Sequence, residues 1–161
     1  RGRYVYSAND FQVLFSQESD RARKATLQRL VKTGILEHVS KAVYVFAFST
    51  HKFDRTIENI AKIIRRGEYN YISLESALSE WGVISQVPMD RITVMTTGRS
   101  GEYPTPYGVI EFTHTKRNIL NIIDHTLRTD RPLRFATEST AKRDLIRVGR
   151  NVHLMEETTL E

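Results

Sequence analysis

Apolar residues near the start of the chain recur at the three- and four-residue spacing of a helix. Phe11, Leu14 and Phe15 fall on one face of such a helix. Ser7 stands where an N-cap is expected, and Asp10 follows three positions later, which is the spacing of a capping box. The pattern therefore predicts a short first helix that begins after Ser7.

A second helix with one apolar and one basic face is predicted over residues 21–32, with Gly34 as its left-handed C-terminal cap. Its predicted inner face holds the apolar side chains Ala22, Leu27, Leu30 and Val31. Residues 35–39 and 42–48 are rich in β-branched and aromatic residues and are joined at Ser40-Lys41, which predicts a β-hairpin. Helix, turn, helix and hairpin in this order predict a winged helix-turn-helix.

Two further helical segments follow the hairpin. A linking helix is predicted over about residues 53–66, because Phe53 starts a 3.6-residue apolar period that ends before Gly67. Ser73 is the predicted N-cap of the next helix, and Gly82 ends it. The first of these helices would join the N-terminal module to the rest of the chain.

The last part of the chain mixes strand and helix patterns. Residues 92–97 and 109–114 have the composition of strands. Residues 98–108 between them contain three Gly and two Pro and are predicted as a loop. The later segments are predicted, in order, as helix or strand over residues 119–127, a short strand over 133–136 and a helix from Thr137 to Gly149.

Together these elements predict an α+β chain of two domains. An N-terminal winged helix-turn-helix takes residues 1–50, and a small mixed α/β C-terminal domain takes residues 51–161. We expect the C-terminal part to stay folded without the first fifty residues, because Ile57, Ile64 and Trp81 supply it with apolar surface.

Lysine and arginine are concentrated near the start of the chain. The whole chain has 24 Lys and Arg against 19 Asp and Glu, a net charge of +5. Residues 1–50 hold eight of the basic and four of the acidic residues, so +4 of the excess lies in the first third. Positive charge gathered in one module is typical of nucleic-acid binding.

The chain contains no cysteine, which excludes disulfides, thiolate catalysis and cysteine-ligated zinc. No charged and apolar leader opens the sequence, and no apolar run approaches the roughly 18 to 20 residues of a membrane span. The expectation is a cytoplasmic protein without a membrane partner. Because the chain begins at Arg1 instead of Met, we also expect a fragment whose missing start has room for another helix.

Signals for catalysis and cofactor binding are weak. The histidines are scattered without metal-ligand spacing, at His38, His51, His114, His125 and His153. Ser139-Thr-Ala-Lys142 and Lys32-Thr-Gly34 match motifs of penicillin-recognising enzymes, but their order is reversed and Ser-Asp-Asn is missing. Neither a P-loop nor a Gly-x-Gly-x-x-Gly turn is present. We therefore predict no catalytic residue, no metal, no cofactor and no enzyme activity.

The basic face of the second helix carries the candidate DNA contacts. In a helix-turn-helix the first two turns of the second helix touch the major groove, and here they hold Arg21, Arg23, Lys24 and Gln28. Arg binds guanine and Gln binds adenine through paired hydrogen bonds, and Arg23 is the first choice for a base contact. Lys41, at the hairpin tip, is placed to contact phosphates or the minor groove. A plain solvated helix face is the alternative, and the hairpin that follows favours DNA.

An ordered string of motifs begins at Tyr71. It consists of Tyr71-Ile-Ser-Leu-Glu-Ser-Ala-Leu78, Trp81-Gly-Val-Ile84, Gln86-Val-Pro88, Ile92-Thr-Val94, Thr96-Thr-Gly-Arg-Ser100, Thr105-Pro-Tyr-Gly108 and Ile110-Glu-Phe112. Thr26-Leu27, Arg29-Leu-Val31, Gly34 and Val43-Tyr44 precede it. Over most of residues 7–148 the chain resembles the AbiEi family of antitoxins and transcriptional regulators, which belong to type IV toxin–antitoxin, abortive-infection systems.

The resemblance implies a winged helix that binds the promoter of its own two-gene operon and represses it. Because such modules usually read paired half-sites, we also expect operator repeats in that promoter, with copies associating on the DNA. It also implies a C-terminal domain that counteracts a nucleotidyltransferase-like toxin without a lasting complex. The candidate functional loop of that domain is Thr97, Gly98, Arg99 and Ser100, where Gly98 is expected to have a positive φ and a purely structural role is the alternative. Two departures from the family pattern are Ala42, where the wing usually has Gly, and residues 136–145, where the family has a Pro-Glu-x-Ala-Leu-Leu helix.

Two other functions stay open at this point. One is a DNA-binding regulator whose C-terminal domain senses a small molecule or a protein, without a toxin. The other is a nucleic-acid-processing enzyme that uses the C-terminal half. A toxin gene directly downstream would favour the antitoxin, and metal-independent nuclease or transferase activity would favour the enzyme.

Overall fold

A computed structural model describes residues 2–52, 55–85 and 90–157, and within them the chain is a mixed α+β protein. The predicted fold class is thereby confirmed at this level. The described elements are, in chain order, β1 (Val5–Ser7), α1 (Ala8–Leu14), α2 (Asp20–Lys32), β2 (Leu36–Ser40), β3 (Val43–Phe46), α3 (Thr56–Ile64), β4 (Asn70–Ile72), α4 (Leu74–Glu80), β5 (Arg91–Thr96), β6 (Gly101–Thr105), β7 (Gly108–His114), α5 (Ile119–Asp124), β8 (Thr126–Leu127), β9 (Arg134–Ala136), α6 (Glu138–Val148) and α7 (His153–Glu157). No helix in these ranges is long and apolar enough to cross a membrane.

The strands form two sheets. The first is antiparallel and has the order β1-β3-β2, so the chain's first strand lies beside the predicted hairpin. The second has six strands in the order β6-β7-β5-β4-β9-β8 and is mixed, because β4 pairs with β9 and β5 with β7 in parallel. β1 and β4 have only three residues each, and no pattern in the sequence indicated them.

The predicted helix ends in the N-terminal part are confirmed. Ser7 Oγ accepts a hydrogen bond from the backbone N–H of Asp10 at 3.2 Å, and Asp10 accepts one from the N–H of Ser7 at 2.8 Å, which completes the capping box. α2 starts after Ser19 and is followed by Gly34 with φ +77°. One predicted core residue of α2 is wrong: Ala22 is exposed.

The turn between β2 and β3 places Ala42 in a left-handed conformation, with φ +59°. Residues other than glycine lose roughly 1 to 2 kcal/mol in this conformation. The backbone oxygen of Ala42 accepts a hydrogen bond from the N–H of Ala8 at 2.9 Å, which ties the turn to the start of α1. The hairpin therefore forms without the glycine expected at this position.

Two predictions for the C-terminal part are corrected. Residues 98–108 are not a loop throughout, because β6 lies within them and pairs with β7. Glycine and proline density indicated a turn, but β6 is an edge strand, where Pro104 removes no essential ladder hydrogen bond. Residues 119–127 are both helix and strand, since α5 and then β8 occupy them.

Ser73 precedes α4 but does not cap it with its side chain, contrary to the prediction. Its Oγ instead donates to Asp144 Oδ2 at 2.8 Å. Asp144 is fully buried in α6 and also accepts hydrogen bonds from Tyr71 Oη at 2.9 Å and from Arg117 Nη2 at 3.1 Å. A buried carboxylate with these partners fixes α6 against the sheet, and it raises the pKa of Tyr71 in addition to the effect of burial.

The linking helix is shorter than predicted, and its predicted first residue, Phe53, lies outside the described residues, as does the motif Gln86-Val-Pro88. The helix from Thr137 to Gly149 is confirmed, with Thr137 as N-cap and Gly149 left-handed at its end.

The hydrophobic core crosses the expected domain boundary. Val5, Val43 and Val45 of the first sheet belong to the same buried cluster as Ile60 of α3 and the apolar residues of the second sheet. Trp81, expected to help the C-terminal part stand alone, is 42% exposed. The boundary at residue 50 stays a prediction, whereas the shared core leads us to expect that residues 51–161 depend on the N-terminal sheet.

Candidate nucleic-acid interface

The exposed face of α2 carries a stripe of polar and basic side chains. Arg21, Lys24, Gln28 and Lys32 are all exposed, and their spacing of three or four residues puts them on one side of the helix. None of the three cations has an ion-pair partner among the described residues. We call these four residues the α2 stripe. Lys32 was not among the residues predicted from the sequence, although it continues the spacing one turn beyond Gln28.

Arg23 does not lie on the α2 stripe. It precedes Leu27 by four residues and Leu30 by seven, so it shares their inward-facing side of the helix. Its side chain is only 12% exposed and pairs with Asp20. The structure therefore brings Arg21, Lys24 and Gln28 together and sets Arg23 apart from them.

A groove of about 360 Å³ runs between α2 and the hairpin. Its polar walls are Lys24, Gln28 and Lys32 from the helix, and His38 and Tyr44 from the strands. The rings of His38 and Tyr44 stack with their centroids 4.8 Å apart. Lys41 is exposed in the turn between β2 and β3 and does not line this groove. Cations and amide groups beside a shallow groove suit phosphate oxygens and base edges.

A small aromatic cluster holds α2 in place. Phe11 of α1 packs with Leu27 of α2 and Leu36 of β2 in a core separate from the main one. The ring of Phe11 lies 5.9 Å from that of Phe15 and meets Tyr44 edge-on at 5.7 Å. Because both helices and the hairpin meet at this cluster, the α2 stripe has a fixed orientation relative to Lys41 and His38.

Asp10 connects this region to the segment that follows α3. Arg66 of that segment donates to both Asp10 oxygens, at 2.9 and 3.2 Å, and Arg3 lies 3.3 Å from Oδ1. Burial raises the pKa of Asp10, but the hydrogen bonds from Arg66 and the Ser7 N–H and the charge of Arg66 outweigh it, lowering the pKa from 3.8 to about 2. The carboxylate thus stays ionised and keeps α1 attached to the end of α3.

The candidate loop of the C-terminal part, residues 97–100, is held by its neighbours. Thr97 Oγ1 donates to Glu68 Oε2 at 2.5 Å and accepts from the Tyr69 N–H at 3.0 Å. The Ser100 hydroxyl accepts from the N–H of His114 at 2.8 Å. Most polar groups of the loop therefore form hydrogen bonds within the fold, whereas the Arg99 side chain is exposed.

Gly98 does not have the expected positive φ. An added Cβ would instead lie 3.0 Å from Glu68 Cγ and 3.2 Å from Arg65 Cδ, so glycine allows a close approach of the loop to the segment that follows α3. Arg65 Nε donates to the Arg99 carbonyl at 3.0 Å. Its guanidinium lies 4.5 Å from the ring centre of Phe112, beneath the loop.

The α2 stripe, the groove beside it and the 97–100 loop are thus separate sites on the structure. In the described part of the chain, no three His, Asp or Glu side chains are grouped closely enough to hold a metal ion. The chain matches no model of a known protein family and none of the curated proteins compared with it. Geometry and charge are therefore the basis for interpreting these sites.

Proposed function

We propose that the protein binds double-stranded DNA through a winged helix-turn-helix made of α1, α2 and the β2–β3 hairpin, and that it represses transcription of its own operon. The single observation that carries this proposal is the α2 stripe. Three cations and Gln28 stand exposed on the second helix without partners in the described chain, beside a hairpin that holds a further exposed lysine.

The resemblance to AbiEi antitoxins extends the proposal to the C-terminal part, which would counteract a nucleotidyltransferase-like toxin without a lasting complex. About half of the described residues of the motif string are buried, and Tyr71, Leu74, Leu78 and Val94 are fully so. The string therefore supports a shared fold more directly than a shared site. Co-expression with the product of the neighbouring gene, scored by rescue of growth, tests this half.

Duplex binding is tested by fluorescence anisotropy with the promoter region of the protein's own gene. We expect log K to fall with log salt at a slope of about −4 to −5, because five exposed cations can contact phosphates. They are the three cations of the α2 stripe, Arg29 and Lys41. Gln28→Ala is expected to lose about 1 to 3 kcal/mol on the promoter and much less on a scrambled duplex. Lys24→Ala is expected to weaken both duplexes alike and to reduce the salt slope by about 1.

Lys142→Ala, at a half-exposed lysine of α6 away from the α2 stripe, is the matched control and should bind as the unaltered chain does. A footprint is expected to cover two repeated half-sites bound by two copies. Affinity that does not depend on salt, or equal affinity for double-stranded RNA, would contradict the proposal.

A further inference from the structure

A second basic site lies away from α2. It is an open cleft of about 700 Å³, bordered by α3, by the first residues of the chain and by the segment that leads into β9. Seven Lys and Arg side chains line it against two carboxylates. The α2 stripe contributes none of them.

Several of these cations are held by carboxylates just behind the cleft wall. Arg3 and Arg66 share Asp10, while Arg131 binds Glu58 at 3.0 Å and also pairs with Glu80. Arg55 shares the same two glutamates. Four cations thus share three carboxylates, so their side chains are positioned without being fully neutralised.

Three other cations of the cleft have no carboxylate partner among the described residues, and of these Arg65 is buried whereas Lys62 and Arg134 are not. Lys62 is exposed on α3, four residues before Arg66, which follows the end of that helix. Arg134, on β9, is fixed by donating its Nε to Thr126 Oγ1 at 2.7 Å and its Nη2 to the carbonyl of Ile123 at 3.2 Å. A guanidinium held only by neutral acceptors keeps its full charge for a ligand.

An exposed aromatic ring belongs to the same cleft. Tyr69 is 40% exposed, and its backbone is held on both sides by Thr97, whose Oγ1 accepts from its N–H and whose N–H donates to its carbonyl, each at 3.0 Å. The 97–100 loop therefore fixes the backbone of Tyr69 at the cleft. An exposed ring beside cations is the combination that binds unpaired bases and their phosphates.

We propose that this cleft binds a short segment of single-stranded nucleic acid, with phosphates on Lys62 and Arg134 and a base stacked on Tyr69. The concave shape and a volume typical of ligand pockets fit a flexible strand better than the rigid cylinder of a duplex. The site is independent of the α2 stripe, so either proposal can fail alone.

The test measures binding of a fluorescein-labelled hexauridylate RNA, its DNA counterpart and a duplex DNA to the full chain by anisotropy. Lys62→Glu and Tyr69→Ala are each expected to weaken both single strands by about tenfold or more and to leave duplex affinity within about twofold. Tyr69→Phe, which keeps the stacking face, is expected to retain binding. Lys116→Glu makes the same charge reversal at an exposed lysine outside the cleft and should change single-strand affinity little.

Three results would overturn the inference. The first is that the hexamers fail to bind the unaltered chain, and the second is that Lys62→Glu loses no more single-strand affinity than Lys116→Glu. The third is that the cleft variants weaken duplex binding as much as single-strand binding. In the last case the cleft is part of the duplex-binding surface. Thermal unfolding followed by circular dichroism verifies that each variant is folded, and Lys62→Gln replaces Lys62→Glu if the reversal unfolds the chain.

Discussion

Arg21 and Lys24 of α2 differ from three arginines around the six-stranded sheet in whether a carboxylate of the chain neutralises them. Arg21 and Lys24 are exposed and have no carboxylate partner in the described chain. Arg117, Arg131 and Arg150 each bind one or two carboxylates of other elements. A cation with a partner in the chain stabilises the fold, and a cation without one is available to a ligand. The position of a charge among its neighbours, more than its sign, therefore indicates its role.

The largest effect is expected from separating the two regions. Removing residues 1–50 takes Val5, Val43 and Val45 out of the main core, and each buried valine contributes about 1.5 to 3 kcal/mol. Their loss approaches the whole stability of an ordinary domain, so the truncated chain should show no cooperative transition in urea. Lys41→Ala in the full chain is the control. A cooperative transition near that of the full chain would show that residues 51–161 fold independently.

The second largest effect on stability is expected from breaking the buried ion pair between Arg117 and Asp144. Arg117→Met leaves Asp144 buried with only the Tyr71 and Ser73 hydroxyls as partners, which should lower the free energy of unfolding by about 3 kcal/mol. Lys142→Met removes an exposed pair with Glu138 and should lower it by less than about 0.5 kcal/mol. Urea unfolding of both variants measures the difference. Equal values would mean that pairing around the sheet matters no more than a surface contact.

A smaller effect concerns Asp10. Its pKa of about 2 in the folded chain lies below the unfolded value of 3.8, so its contribution is complete above pH 4 and is lost as pH falls towards 2. Asp10→Asn should lower stability by about 2 kcal/mol at neutral pH and flatten the stability profile between pH 4 and 2. Asp20→Asn, at a carboxylate that is 95% exposed, is the control. An unchanged profile in Asp10→Asn would contradict the role of this carboxylate.

The smallest expected effect is the difference in DNA affinity between substitutions of Arg21 and Arg23, two arginines of the same helix. On promoter DNA, Arg21→Ala should lose about 1 to 2 kcal/mol of binding free energy, because its side chain is exposed on the α2 stripe. Arg23→Ala should lose less than about 0.5 kcal/mol, since its side chain faces inward and pairs with Asp20. Anisotropy titrations at one salt concentration compare them. A larger loss for Arg23 would show that it turns outward on DNA.

Local signals predicted much of the N-terminal structure. Ser7 and Asp10 form the capping box that their spacing indicated, and Gly34 ends α2 as predicted. The inward position of Arg23 was also present in its spacing to Leu27, and a consistent use of the helical period would have found it. The sequence was sufficient to predict features that depend on residues only three or four positions apart.

Contacts between residues far apart in the chain could not be predicted from the sequence. The partner of Ser73 is Asp144, 71 residues away, and nothing near Ser73 indicates it. The basic cleft draws Lys62, Tyr69 and Arg134 from three segments that meet only in the folded chain. β6 was missed because Pro104 signals a turn locally and is tolerated only through its place at the sheet edge.

The two edges of the six-stranded sheet also affect how the protein behaves at high concentration. β8 has only two residues, and β6 carries Pro104, which has no N–H to donate to a neighbouring strand. Short edge strands and edge prolines oppose the addition of a strand from another molecule. The sheet is therefore protected against growing into aggregates, and concentrated solutions of the protein should not precipitate through pairing of its edge strands.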